Sequence, residues 1–417
     1  MKGIIILVFA LFLNFLALSQ ENIENLKVKV KHKTNVEKVE KLTLKNIEKV
    51  RELAENDPDA YLPELSAYIN NLGTIYFNQE RFQEAEAMYL EALEIDKTIA
   101  KKYPRTYEYD VVISLNNLAL LYQKTNRLKE AENYYEQSLT RLRKLAQQSP
   151  ENFEPDLSIL LNNIAVLYQS EEKPEEAEKY YLETLKTDKH LLKQNKDEYK
   201  AEYAKHLNNV AQFYQSQHQD AKMEKYILES LDVRRELVKT NPKEYEKDLS
   251  IRLNNMAYYY ETHKEKKQAE DLYLEAIEID KHILENDSTH RADYSAHLNN
   301  LGNLYYEEKN YDKAEQFYLK TVEIDRQIQS SDPIILKTSI AIHLNNLANL
   351  YANTERYQQA EQFYEETLTI YRSLYKENPT KYKDELTTVL DNLARLYKRL
   401  NRNEEFETLK QEIQSLQ

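Results

Sequence analysis

The stretch L-N-N-L-A-L-L-Y at Leu115–Tyr122 decides the reading of this chain. The phrase stands earlier at Ile69–Tyr76 as I-N-N-L-G-T-I-Y and recurs, with small changes, eight times in all. Its second asparagine falls at Asn71, Asn117, Asn163, Asn209, Asn255, Asn300, Asn346 and Asn392, at intervals of 46 residues with a single interval of 45. A fixed period of this size marks a solenoid of stacked supersecondary units. Stacked units present an extended surface instead of one enclosed pocket, so binding is the leading functional class.

Within one period the pattern reads as two helices. Ile69, Leu72, Gly73 and Tyr76 fall at i, i+3, i+4 and i+7, a single apolar stripe. A polar turn is expected at Asn78–Arg81. Ala85, Tyr89 and Ala92 then mark the inner stripe of a second helix running to about Lys102. Pro104 and Tyr107 read as linker to the next repeat, and Pro58, Pro150, Pro242, Pro333 and Pro379 take the same place. All prolines are expected outside helix interiors, with Pro174 in the turn before a second helix, where its fixed φ is tolerated. The small residues Ala85, Ala131, Ala177, Ala269, Ala314 and Ala360 let paired helices approach closely, and a tyrosine follows each by one turn. The fourth repeat departs with Met223 and Ile227, and the eighth with Phe406 and Lys410.

Composition agrees with an all-helical chain. Three glycines in 417 residues leave few helix breakers, and 31% charged with 41% hydrophobic residues suits soluble amphipathic helices. The net charge of −14 argues against nucleic acid as partner, which needs clustered Lys and Arg. The absence of cysteine excludes disulfides, thiolate metal sites and cysteine nucleophiles.

At the N-terminus Lys2 precedes an apolar run from Gly3 to Leu18, followed by Ala17-Leu18-Ser19 as a cleavage site before Gln20. This is the pattern of a secretory signal peptide over residues 1–19. The run is shorter than the ~20 residues that span a bilayer, so cleavage is expected over retention as an anchor, with no stable membrane span left in the cleaved chain. Residues 20–35 read as a linker, with an edge strand as the other reading of the alternating Leu26–Lys33. Residues 36–60 turn helical, and the end of that segment matches Arg234–Tyr245, so it reads as the second half of a degenerate repeat that caps the array. Eight repeats are expected over residues 61–417.

Small and aromatic residues at these spacings resemble the tetratricopeptide repeat, and the L-N-N-L-A-x-L-Y phrase with a long second helix is most similar to the kinesin light chain type. The resemblance covers about residues 60 to 417. Where that family usually closes the second helix with proline, this chain carries Lys97, Arg143 and Lys189, so the helix continues and the repeat lengthens. The resemblance implies an all-α superhelical solenoid of helix-turn-helix repeats whose first helices line a concave groove.

On a helical wheel the second asparagines point away from the apolar stripe, toward that groove. They align with Ile113, Leu120, Ile159, Val166, Lys205, Gln212, Ile251, Tyr258, Asn303, Ile342 and Asn349. A carboxamide offers one acceptor and two donors and can pair with both groups of a peptide unit. Asn71, Asn117, Asn163, Asn209, Asn255, Asn300, Asn346, Asn392, Lys205, Gln212, Tyr258, Asn303 and Asn349 are therefore the candidate peptide-binding residues. Two readings stay open at this point: these amides hold a ligand backbone, or they bond within the array. The isoleucines likewise face a ligand or pack under linkers. Lys205 beside Asn209 is the single pair resembling a carboxylate clamp, and Arg395, Lys398, Arg399 and Arg402 form a basic end.

His206, His297 and His343 occupy equivalent places, as do His190 and His282, but residues a repeat apart seldom converge on a metal. No H-E-x-x-H, G-x-S-x-G or phosphate-binding glycine loop is present. The expectation is an exported, non-enzymatic scaffold without cofactor that binds a protein or extended peptide. The alternatives are a self-associating structural protein of the cell envelope and, more distantly, an enzyme with an unrecognised site.

Overall fold

The computed structural model describes residues 24–328 and 333–416. The expected leader and its cleavage site lie outside them. The described residues form seventeen α-helices and one 3-10 turn, with no strand. Helix α1 (Glu24–Asn56) precedes eight pairs: α2 (Pro58–Asn78) with α3 (Phe82–Lys102), α4 (Pro104–Lys124) with α5 (Leu128–Gln148), α6 (Pro150–Ser170) with α7 (Pro174–Gln194), and α8 (Lys196–Ser216) with α9 (Asp220–Thr240). Then come α10 (Pro242–Thr262) with α11 (Lys266–Leu284), α12 (Arg291–Glu307) with α13 (Tyr311–Asp325), α14 (Pro333–Asn353) with α15 (Tyr357–Glu377), and α16 (Pro379–Arg399) with α17 (Asn403–Leu416). The chain divides into two compact units, one of residues 29–237 and one built on residues 238–417, and within each the helix pairs pack side by side in chain order.

The period has a simple origin. Two 21-residue helices, a three-residue turn and a one-residue join fill it, as α2, α3 and Tyr103 show. The prolines expected in linkers stand instead at the first residue of the first helices, where the missing N–H costs no helical bond. Pro63 and Pro155 correct the expectation for helix interiors: both lie inside α2 and α6, at the sixth residue. The segment 24–35, expected as linker or strand, belongs to α1. No proline or glycine falls between Glu24 and Asn56 to end that helix.

Each turn reverses through one residue with φ near +60°: Glu80, Asn126, Glu172, His218, Lys264, Lys309, Glu355 and Asn401. None is glycine, the residue that tolerates this conformation best. The next residue's N–H bonds back to the carbonyl of the phrase tyrosine, as Arg81 does to Tyr76 at 2.9 Å and Arg127 to Tyr122 at 2.8 Å, which holds the left-handed residue in place. The shorter 45-residue interval contains the 3-10 turn Ser288–His290, which replaces the proline start of the other joins and drives His290 into the interior.

The expected close crossings are present. Ala85, Ala131, Ala177, Ala269, Ala314 and Ala360 are fully buried. A β-carbon built on Gly73 would meet the Tyr89 ring at 2.7 Å, and one on Gly302 the Tyr318 ring at the same distance, so the two glycines sit at the tightest crossings. Ala177→Leu must overfill its site and lowers stability by ~1–3 kcal/mol. Exposed Glu176 beside it tolerates change. Comparable melting of Ala177→Leu and Glu176→Leu would refute the helix register.

The phrase tyrosine ties one repeat to the one before. Tyr122 donates to Glu86 at 2.8 Å, and the Arg127 guanidinium lies 4.1 Å over the Tyr122 ring while pairing with Glu86 at 2.8 Å. The same trio recurs as Tyr168, Glu132 and Lys173, as Tyr214, Glu178 and Lys222, as Tyr305, Glu270 and Lys313, and as Tyr351, Glu315 and Arg356. Arg81 over Tyr76 reaches Glu40 of α1 at 2.9 Å. Glu40 stands one period before Glu86, so α1 occupies the place of a second helix.

Candidate functional site

In each first helix the residues opposite the apolar stripe form an accessible face. Asn117, Asn163, Asn209, Asn300, Asn346 and Asn392 are half-buried there, and Asn71 and Asn255 are exposed. Ile159 and Ile342 lie 40% and 36% exposed, so these two isoleucines do not pack under linkers. Ile113, Leu120, Val166, Ile251 and Tyr258 are half-buried, and Gln212 is exposed.

The asparagines are arranged as a ladder. In five repeats the second asparagine donates from Nδ2 to Oδ1 of the first asparagine of the preceding repeat. Asn117 reaches Asn70 at 2.9 Å, Asn209 reaches Asn162 at 3.0 Å, Asn300 reaches Asn254 at 3.0 Å, Asn346 reaches Asn299 at 3.0 Å and Asn392 reaches Asn345 at 3.5 Å. The first asparagine is therefore a structural acceptor. The second serves the array through its Nδ2, which in Asn346 and Asn392 also reaches Asn303 at 3.2 Å and Asn349 at 3.5 Å, while its carboxamide oxygen takes no protein donor among the described residues. The reading in which the amides bond within the array is therefore the one these contacts carry.

Other candidates are similarly divided. Asn303 and Asn349 accept the hydroxyls of Tyr318 at 2.7 Å and Tyr364 at 2.6 Å. Tyr135, Tyr181 and Tyr273 turn instead to Gln123, Gln169 and Glu261, three residues further along the first helix. The choice follows the sequence: where Leu120, Val166 or Tyr258 fills the Asn303 place, no small polar acceptor is available there. Burial and the nearby Glu307 push the Glu261 carboxyl up to about 7, although the Tyr273 hydroxyl opposes the shift. Lys205 pairs with Glu202 at 2.9 Å, which weakens the clamp-like reading. Of the basic end, Arg402 pairs with Glu361 and Glu405, while Arg395 and Arg399 are exposed.

The equivalent histidines serve a buried polar network that sequence reading missed. Asp188 accepts from Ser158 on α6 and faces His206 Nδ1 on α8 at 2.8 Å. Asp325 accepts from Ser295 and faces His343 Nδ1 at 2.7 Å. Asp280 accepts from Ser250 and lies 2.7 Å from both His297 Nδ1 and His290 Nε2. Asp96 joins Ser66 to Ser114, the latter at 2.5 Å. Each aspartate thus fastens a second helix both to its own first helix and to the next repeat. Burial pushes the Asp280 carboxyl up, but bonds from His290, His297 and Ser250 outweigh it and hold it down at about 2. Burial likewise opposes charge on His290, yet Asp280 and Asp293 raise it to about 9. His190 and His282 are exposed and pair with Glu154 at 2.6 Å and Glu246 at 2.7 Å. The signal was present in the sequence: where the aspartate is Leu142 or Tyr371, its partners become Val112 and Leu160, or Ala341 and Val389.

Comparison with known proteins bears on the repeat. Tetratricopeptide repeat models match residues 41–98, 111–151, 160–195, 296–327 and 340–380. No curated protein matches the chain. Among solved structures, the apo quorum sensor NprR from B. thuringiensis is 17% identical, covering 94% of this chain and 99% of its own, with a TM-score of 0.40. Apo RapI is 14% identical over 84% and 97%, with a TM-score of 0.49. A putative kinesin light chain repeat protein from Podosopora anserina is 19% identical over 50% and 92%, with a TM-score of 0.36. None of the three reaches 0.5, so the assignment rests on the matched repeats and on the helix pairs that carry them: the chain is a tetratricopeptide repeat protein.

Proposed function

We propose that this protein is an exported, non-enzymatic scaffold that binds a protein partner through an extended segment laid along the face of its first helices. The observation that carries this reading is the set of half-buried carboxamides whose oxygens the array leaves uncommitted, interleaved with accessible Ile113, Ile159 and Val166 in one unit and with Ile251 and Ile342 in the other. Such a row offers hydrogen bonds to a peptide backbone and apolar contact to its side chains. Affinity capture with the chain beginning at Gln20, with and without the amides of this face, tests it. A partner lost with the amides supports the reading, and a partner retained at full strength removes it.

Self-association draws on a different surface, the accessible leucines Leu90, Leu182, Leu274 and Leu319 of the second helices. Mass by light scattering across a concentration series separates the two. Export rests on the leader. Among the described residues no helix is long and apolar enough to cross a membrane. Mass spectrometry of the native protein is expected to find a chain starting at Gln20. An intact Met1 in a cytosolic fraction refutes export, and an intact Met1 in the membrane replaces cleavage with an anchor.

A further inference from the structure

Helix α1 is a second helix without its first. Val39, Leu42, Asn46 and Leu53 stand one period of 46 residues before Ala85, Met88, Ala92 and Ile99 of α3. In α3 this is the side turned to α2: a β-carbon on Gly73 would lie 3.3 Å from Met88, and Ala85, Ala92 and Ile99 are buried. In α1 the same side is open. Val39 is 52% and Leu42 59% exposed, while Asn46 and Leu53 are half-buried. The helix that would cover it falls at residues 12–32, one period before Pro58–Asn78, and α1 already takes that span from Glu24 onward. The chain therefore does not lay its own first helix here in register, and covering this side takes a helix from elsewhere.

The four residues are spaced by three, four and seven, which puts them on one side of the helix. Asn46 and Lys49 interrupt its middle, where α3 has Ala92 and Ile95, so the side is apolar toward both ends and polar at its centre. Such a surface matches itself about a two-fold axis. With two copies run antiparallel, Leu42 of one meets Leu53 of the other, and Asn46 lies level with Lys49. The flank carries charges that suit this arrangement. Lys45 and Glu52 lie seven residues apart along it, both exposed, and neither has an ion-pair partner among the described residues. Antiparallel pairing sets each Lys45 level with the other copy's Glu52, twice over. Parallel pairing would set lysine against lysine and glutamate against glutamate. Arg51 is taken by Glu91 at 2.6 Å and Glu40 by Arg81 at 2.9 Å, so those charges tie α1 to its own array and leave this flank free.

We propose that the open side of α1 is a homodimer interface, covered by α1 of a second copy in antiparallel orientation. Val39, Leu42 and Leu53 are buried along the two-fold, and Lys45 pairs with Glu52 across it. The contact uses the N-terminal end of the array and none of the first-helix amides, so it stands apart from the ligand face. Each copy has one such end, and the same patch serves on both copies, which closes the assembly at two.

The test measures mass by sedimentation equilibrium on the chain from Gln20 across a concentration series. The mass is expected to climb from one copy to two and to stop there. Val39→Glu combined with Leu42→Glu is expected to leave single copies, with helicity and melting kept because both residues are exposed. Lys45→Glu and Glu52→Lys, each alone, set like charges against one another and are expected to weaken the dimer at least tenfold. An equimolar mixture of those two variants is expected to restore it, since each chain then meets the opposite charge on its partner. One surface pair contributes little by itself, so the reversal and its rescue carry the reading. Single copies at every concentration would overturn the interface. A dimer indifferent to Val39→Glu with Leu42→Glu would do the same. A mass that passes two copies also sinks the proposal and moves self-association to the leucines of the second helices. If both charge variants weaken the dimer but fail to rescue each other, the antiparallel pairing is wrong. The reading of the ligand face falls separately, when a captured partner is indifferent to the first-helix amides.

Discussion

Asp280→Ala is expected to cost the chain roughly 3–5 kcal/mol, the usual penalty for removing one member of a buried ion pair. Asp280 and His290 are fully buried and His297 nearly so, and Asp280 is 2.7 Å from each imidazole. Its loss takes the carboxylate from His297 and the Ser250 hydroxyl and leaves His290 with Asp293 alone, in a space closed to water. Asp271, on the exposed side of the same helix and paired with Lys267 at 2.8 Å, is the control, since surface pairs contribute about 0–1 kcal/mol. Thermal melting and amide exchange over α10, α11 and α12 measure the difference. Similar behaviour of Asp280→Ala and Asp271→Ala would show that the network is not what joins these repeats.

The same cluster sets a pH dependence. His290 rises from 6.5 to about 9 in the folded chain, so its contribution is complete below about pH 6.5 and disappears as pH climbs through about 9. Asp280 falls from 3.8 to about 2, so its contribution is present above about pH 4 and is lost as pH drops through about 2. His290→Gln therefore flattens the decline of stability on the alkaline side and leaves the acid side governed by carboxylates.

What the sequence revealed and what it hid follow from the range of the interactions involved. The 46-residue period, the apolar stripe and the small residues at Ala85 and Ala177 are local patterns, and they appear in the fold where the helical wheel puts them. The turns were placed at Asn78–Arg81, but the left-handed residue within them was not visible, because Glu80 and Glu172 carry none of the usual glycine signal. Pro63 and Pro155 show the limit of a single-residue rule. In the first turns of a helix, proline forfeits at most a bond or two, and packing later in α2 and α6 sustains the helix regardless. The aspartate network was hidden for another reason. Asp188 and His206 are eighteen residues apart on different helices, and neither departs from a charged-surface pattern until the repeats are compared with one another. The ladder divides likewise: the wheel placed Asn117 and Asn209 on the accessible face, but it could not say that each spends one donor on the neighbouring repeat.

That division shapes the effect expected on binding. Replacing Asn117, Asn163 and Asn209 together by Ala should weaken a captured partner a hundredfold or more. Each amide can make two hydrogen bonds to a ligand backbone, each worth ~0.5–1.5 kcal/mol net, and about 1.4 kcal/mol is a factor of ten in affinity. The accompanying loss of stability should be modest, because the array forfeits only the bonds to Asn70 and Asn162. The face between these residues is nearly uncharged, so the weakening should be alike at low and high salt, unlike the effect of altering Arg395 or Arg399 at the basic end. Circular dichroism separates the outcomes. If the triple variant loses its helices, the amides are structural and the ligand role falls. If it keeps them and binds its partner unchanged, the partner uses another surface, and the leucines of the second helices become the place to look. If helicity stays and binding falls only at low salt, charge and not the amide row holds the partner, and the proposed backbone pairing is wrong.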